Sequence, residues 1–125
     1  MSALQGLRVL VVENDEMNAM LLELQLAQAG ASVAGPAATV EGALQLAEAE
    51  SLDLAVLDFR LGGGQTSEPV AERLNALGVP FVVATGQVAA GLPGAFDRGI
   101  LLVKPYLAED LVSSLRRAQE IAAGT

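Results

Sequence analysis

Four short apolar runs in this chain each end in polar residues. Val9-Leu10-Val11-Val12 leads into Glu13-Asn14-Asp15, and Leu54-Ala55-Val56-Leu57 ends in Asp58. Phe81-Val82-Val83-Ala84 ends in Thr85-Gly86, and Ile100-Leu101-Leu102-Val103 in Lys104-Pro105. Helical patterns separate these β-type runs. That alternation predicts a parallel sheet with helices on both faces. In an open α/β sheet the carboxyl ends of the strands form the ligand crevice. The polar tips therefore converge on one place, bringing together acids, a hydroxyl and an ammonium. A cation site facing an anion site suits a phosphoryl group handled with Mg²⁺.

The intervening segments read as helices with recognisable ends. Met17, Met20, Leu21 and Leu24 recur at helical spacing, Asn14 or Asp15 supplies a cap, and Gly30 stops the helix. Ser32-Val33-Ala34-Gly35 is a weak strand, short and glycine-ended, which suits a sheet edge. Thr39 caps a helix carrying Val40, Ala43, Leu44 and Ala47. Ser67-Glu68-Pro69 opens another with a capping hydroxyl, its stripe being Val70, Leu74 and Leu77 before Gly78. Between Gly86 and Gly99 the glycines and Pro93 leave room only for a short or poorly held helix. The last helix turns Leu111, Leu115, Ala118 and Ile121 inward, with Glu109 and Asp110 in its first turn and Arg116 and Arg117 near its end.

With 125 residues the chain is expected to be one domain, its core running from about residue 7 to 117. A 52% hydrophobic content argues against disorder. The absence of cysteine and histidine excludes disulfides, thiol nucleophiles, phosphohistidine and His-ligated zinc. A net charge of −8 argues against nucleic acid and anionic lipid as partners. No apolar stretch approaches a membrane span and no leader signature is visible, so the expected location is the cytoplasm of a bacterial-type cell.

Asp58 alone is an ordinary strand-end residue, but a carboxylate can attack phosphorus to give an aspartyl-phosphate. Lys104 is the only lysine, every other cation being arginine, and Pro105 fixes the backbone after it. Lysine offers a compact point charge to a carboxylate or a phosphoryl oxygen. Thr85 can donate its hydroxyl to that oxygen, with room left by Gly86. Mg²⁺ keeps several waters, so two or three protein oxygens suffice. Asp58, one or two of Glu13, Asn14 and Asp15, and the backbone carbonyl near Arg60 are the candidates, with Asp15 better read as a helix cap. Gly62-Gly63-Gly64 lacks the Lys-Ser/Thr ending of a nucleotide loop and reads as a plain loop.

Val11-Val12-Glu13, Leu57-Asp58, Thr85 and Lys104-Pro105-Tyr106, at this spacing, resemble the receiver domain of two-component response regulators, from about Leu7 to Arg117. The resemblance implies a CheY-like, flavodoxin-like fold with a five-stranded sheet in the order 2-1-3-4-5. It implies Asp58 as phosphoacceptor, Lys104 as its contact, Thr85 as the switch hydroxyl, Glu13 in the Mg²⁺ shell and a cis Lys104–Pro105 peptide. Ala84-Thr85-Gly86 is similar to the Phe-Ala-Thr-Gly-x-Tyr motif of stand-alone receivers, with Val83 and Val88 replacing the aromatics. Asn14 replaces an acid, Leu101 a switch aromatic, and Leu107 a capping hydroxyl.

The expected function is therefore phosphoacceptance from a histidine kinase or a phosphotransfer protein, with Mg²⁺ as cofactor. An unidentified output protein reads a switched surface, and the chain itself is a signalling domain, monomeric or weakly dimeric, rather than an enzyme acting on small molecules. Two rivals remain. One is a pseudo-receiver that binds proteins without phosphorylation, favoured by Asn14. The other is an aspartate-nucleophile phosphatase, which would usually carry Asp-x-Asp where Glu13-Asn14-Asp15 stands.

Overall fold

The computed structural model describes residues 3–86 and 91–124. Strands β1 (Arg8–Val12), β2 (Ser32–Ala37), β3 (Leu54–Asp58), β4 (Phe81–Thr85) and β5 (Ile100–Val103) pair in parallel in the order β2-β1-β3-β4-β5. Helices α1 (Glu16–Gln28), α2 (Val40–Ala49), α3 (Glu68–Leu77) and α4 (Ala108–Ala123) connect and cover them. The crossover from β4 to β5 contains, among its described residues, only a 3-10 turn at Gly94–Phe96. Gly91, Pro93, Gly94 and Gly99 keep helix propensity low among those described residues.

Side chains alternate across a strand, so each run feeds two cores. Leu10, Val12, Leu57 and Val83 pack with Ala43, Val70 and Leu74 of α2 and α3. Val9, Val11, Val56, Val82 and Leu102 pack with Leu22, Leu26, Leu111 and Leu115 of α1 and α4. Each such Val or Leu contributes about 1.5–3 kcal/mol by leaving water. The register then levels the strand tips. Val12 lies opposite Leu57, Asp58 opposite Ala84, and Thr85 opposite Val103. Backbone bonds carry the ladder one residue further: Glu13 N to Ala37 O (3.0 Å), Phe59 N to Ala84 O (2.9 Å) and Lys104 N to Thr85 O (2.9 Å).

Several helical details differ from expectation. Helix α1 buries Ala19, Leu22 and Leu26, while Met17, Met20, Leu21 and Leu24 face solvent. The helix is apolar on more than one side, so periodicity finds the helix without choosing its face. Leu77 and Ile121 are exposed at the ends of their stripes, where the helices run past the sheet's cover. Helix α4 continues to Ala123, which leaves Arg116 and Arg117 mid-helix and outside the reach of the terminal dipole. Ser67 makes no capping bond; its hydroxyl donates to Phe59 O at 3.5 Å, and the Glu68 N–H donates to Thr66 Oγ1 at 3.3 Å instead. Thr39 caps α2 through the Gly42 N–H (3.0 Å) as expected. Strand β2 is an edge strand and runs two residues beyond Gly35, through a cis Gly35–Pro36 peptide.

Candidate functional site

The tips of β1, β3, β4 and β5 meet at one end of the sheet. Glu13 follows β1 and is 4% exposed. Its Oε2 accepts the Asp15 N–H at 3.1 Å, which aims the carboxylate back over the sheet. Asp15 is occupied otherwise: its Oδ2 accepts the Asn18 N–H at 2.9 Å and caps α1. Asn14 is exposed, and its amide nitrogen would lie 3.1 Å from a Cβ placed on Gly62. The glycine thus lets the loop after β3 approach the loop after β1.

Asp58 ends β3 half-buried. Lys104 reaches across β4 to place Nζ 3.1 Å from Asp58 Oδ1 and 3.8 Å from Glu13 Oε1. Its backbone is set by the bond to Thr85 and by the cis Lys104–Pro105 peptide. Asp58, Arg60, Thr85, Gly86 and Lys104 line one open pocket of about 330 Å³. Thr85 is buried in its wall. The Arg60 guanidinium lies over the Phe59 ring, 5.5 Å from its centroid. A larger cleft, about 650 Å³, opens at the amino ends of β4 and β5 and is lined mainly by apolar residues such as Leu74, Phe81 and Ile121.

Two carboxylates share one ammonium here, and the electrostatics record it. Burial pushes the Glu13 carboxyl above the usual carboxylate range, and the Asp58 carboxylate adds to the rise. The Asp15 N–H and Lys104 oppose it. Tyr106, just past the Lys-Pro pair, is pushed up to about 12, first by burial and then by the Glu13 and Asp58 charges. A cation beside Glu13 and Asp58 would offset this repulsion. The donors at hand are all oxygens, and among the described residues no cluster of three or more acidic groups is built to hold a metal. An ion that keeps much of its own water, as Mg²⁺ does, fits that sparse set.

The structure brings Glu13, Asp58, Arg60, Thr85 and Lys104 together, while Asn14 stands at the rim beside Gly62. Val88 lies outside the described residues. Phe59, Gly62 and Tyr106 join the site as neighbours that sequence reasoning did not single out for it. The adjacency of Tyr106 to Lys104-Pro105 was the only signal available.

No family model matches the chain. The transcriptional regulatory protein PdtaR of Mycobacterium tuberculosis H37Rv is 29% identical over 114 residues, covering 89% of this chain and 56% of PdtaR. The chain thus spans little more than half the length of the curated relatives it matches. The solved structure of SdrG from Sphingomonas melonis Fr1 is 37% identical, with a TM-score of 0.78 over 94% of this chain and 98% of that one. The signal receiver domain of a modulated diguanylate cyclase from Desulfovibrio desulfuricans G20 is 27% identical, with a TM-score of 0.77 over 94% and 96% of the two chains. The chain belongs to the response regulator receiver family. It carries the family's CheY-like sheet in the expected order, and receiver domains are signalling domains. No helix among the described residues of this receiver is long and apolar enough to cross a membrane.

Proposed function

We propose that this receiver is a phosphoacceptor, with Asp58 taking a phosphoryl group from the phosphohistidine of a partner kinase or phosphotransfer protein. The observation that carries the reading is the Lys104 ammonium 3.1 Å from Asp58 Oδ1, in the pocket that Thr85 also lines. An Asp58 oxygen attacks phosphorus as the P–N bond to the partner's imidazole breaks. Lys104 then exchanges its carboxylate contact for a phosphoryl oxygen, and the Thr85 hydroxyl donates to another. Water later attacks phosphorus, releasing inorganic phosphate and restoring the Asp58 carboxylate. Glu13, Asn14, Asp58 and the Arg60 backbone carbonyl would hold Mg²⁺. The bound ion supplies charge neutralisation of the transferring oxygens.

Glu13 and Lys104 frame the nucleophile in this scheme rather than react. Glu13 fixes the negative charge that retains the cation, and Lys104 orients Asp58. Acetyl phosphate replaces the partner in the test, since acetate leaves as imidazole would. With Mg²⁺, the intact mass should gain one phosphoryl group, and Asp58→Ala should gain none. An adduct that persists in Asp58→Ala removes the assignment. Cytoplasmic location and transmission to an output protein by contact belong to the same reading.

A second reading keeps the fold as a protein-binding module without phosphorylation. The exposed, uncharged Asn14 favours it, because the amide brings no charge to the metal shell. A wild-type chain that takes no phosphoryl group from acetyl phosphate under saturating Mg²⁺ would select this reading.

A further inference from the structure

Arg60 brings a guanidinium as well as a backbone carbonyl to the end of the sheet where Asp58 stands. Arg60 is among the residues that line the pocket with Asp58, Thr85 and Lys104, and its guanidinium rests over Phe59 at 5.5 Å. Phe59 is buried and meets Phe96 edge-on, with centroids 5.4 Å apart and planes at 76°. Phe96 in turn meets Phe81 at 6.4 Å and 80°. These are the only three phenylalanines of the chain. A continuous row of rings therefore leads from the acid pocket, through the 3-10 turn that carries Phe96, to the first residue of β4. The row is tight at its far end, where a Cβ on Gly99 would collide with the Phe81 ring.

At the near end the ring face and an anion in the pocket are alternative seats for the guanidinium. An exposed guanidinium on an aromatic face shifts an equilibrium by roughly a factor of two to five. A charge-assisted hydrogen bond to an anionic oxygen shifts it by roughly tenfold or more. Guanidinium also matches the oxygens of a tetrahedral anion in a planar fork. The ring is the better seat only while no such anion is within reach. The backbone around Phe59 is held on both sides, its N–H by Ala84 O and its carbonyl by Ser67 N, each at 2.9 Å. A change at Arg60 is thus passed to the ring and its neighbour Phe96 rather than absorbed by the chain.

We propose that Arg60 is a two-position cation: it rests on Phe59 when the pocket lacks a phosphoryl anion, and it leaves the ring to bind that anion once Asp58 carries it. Departure of the guanidinium relaxes the Phe59–Phe96 contact and alters the 3-10 turn. The device is independent of any aromatic on β5, where Leu101 stands. It rests on the phosphoacceptor reading of Asp58.

The three rings make the test direct. The chain is produced with 4-fluorophenylalanine, which gives one ¹⁹F signal each for Phe59, Phe81 and Phe96, assigned from single Phe→Leu variants. Beryllofluoride with Mg²⁺ serves as the phosphoryl mimic, and acetyl phosphate loading is followed in parallel by intact mass. Loading should move the Phe59 and Phe96 signals. In Arg60→Ala, which keeps the backbone carbonyl, the Phe59 signal should already be displaced in the free protein. The Phe96 response should vanish, and beryllofluoride affinity should fall about tenfold, the size of one charge-assisted bond. Arg60→Lys keeps a cation but loses the planar stack, so affinity should stay within about threefold of wild type while free Phe59 resembles that of the Ala variant. Wild type that loads without moving either signal overturns the proposal alone, as does an Arg60→Ala response equal to wild type. Wild type that takes neither mimic nor phosphoryl group overturns the phosphoacceptor reading and this proposal with it.

Discussion

Lys104 faces both Asp58 and Glu13, and single residues around it decide how much negative charge the crevice carries. Asn14→Asp adds a carboxylate at the rim and should tighten Mg²⁺ binding about five- to tenfold, since ligand charge sets affinity at such sites. Calorimetric titration reads this, and equal or weaker binding in the variant would remove Asn14 from the metal shell. Tyr106 offers a second probe, because it is the only tyrosine and there is no tryptophan. Its phenol should titrate near 12 by near-ultraviolet absorbance and lower in Glu13→Gln, where one repelling charge is gone. Its folded value lies above the ordinary phenol value, so the folded state holds the proton more tightly. Any stability this provides is present below about pH 10 and is lost as pH rises through about 12. A midpoint at the ordinary phenol value would separate Tyr106 from the carboxylates. Asp58, Thr85, Lys104 and Glu13 were legible in the sequence because each directly follows or ends an apolar run. The Arg60–Phe59 contact and the Tyr106 environment were not, because they depend on distances that only tertiary packing sets.

At the scale of elements, the helices were legible but their faces only partly so. Leu74 and Leu77 stand on one sequence stripe, yet Leu74 is fully buried and Leu77 is 42% exposed. Leu74→Ala should cost about 2–5 kcal/mol and Leu77→Ala under about 1 kcal/mol by urea denaturation. Equal costs would mean that α3 packs otherwise than described. The start of the same helix separates two adjacent hydroxyls. Thr66→Ala should cost about 0.5–1 kcal/mol through the lost bond to the Glu68 N–H, whereas Ser67→Ala should leave that bond intact. Helix α1 is the clearest case of hidden phase. Met17, Met20, Leu21 and Leu24 point to solvent, while Leu22 and Leu26, equally apolar, are buried with Ala19. Both faces satisfy the helical period, so only the sheet it lies on could choose between them.

At the scale of the molecule, alternation of runs and helices made the layered parallel sheet legible, while the strand order came from family resemblance rather than from any pattern in the residues. The level tips are a product of register, which no local signal states. Once β3 pairs with β1 and β4, Asp58 must lie between Glu13 and Thr85, with Lys104 one strand further. The central claim is that this crevice is built to carry a phosphoryl group on Asp58. Borohydride reduces an acyl phosphate to an alcohol, turning a phosphorylated aspartate into homoserine at its own position. After acetyl phosphate and Mg²⁺, then borohydride, peptide mass mapping should find homoserine at position 58 and nowhere else, and none when Mg²⁺ is chelated. Homoserine at another aspartate, or unmodified Asp58 in a chain saturated with phosphodonor and metal, would contradict the account.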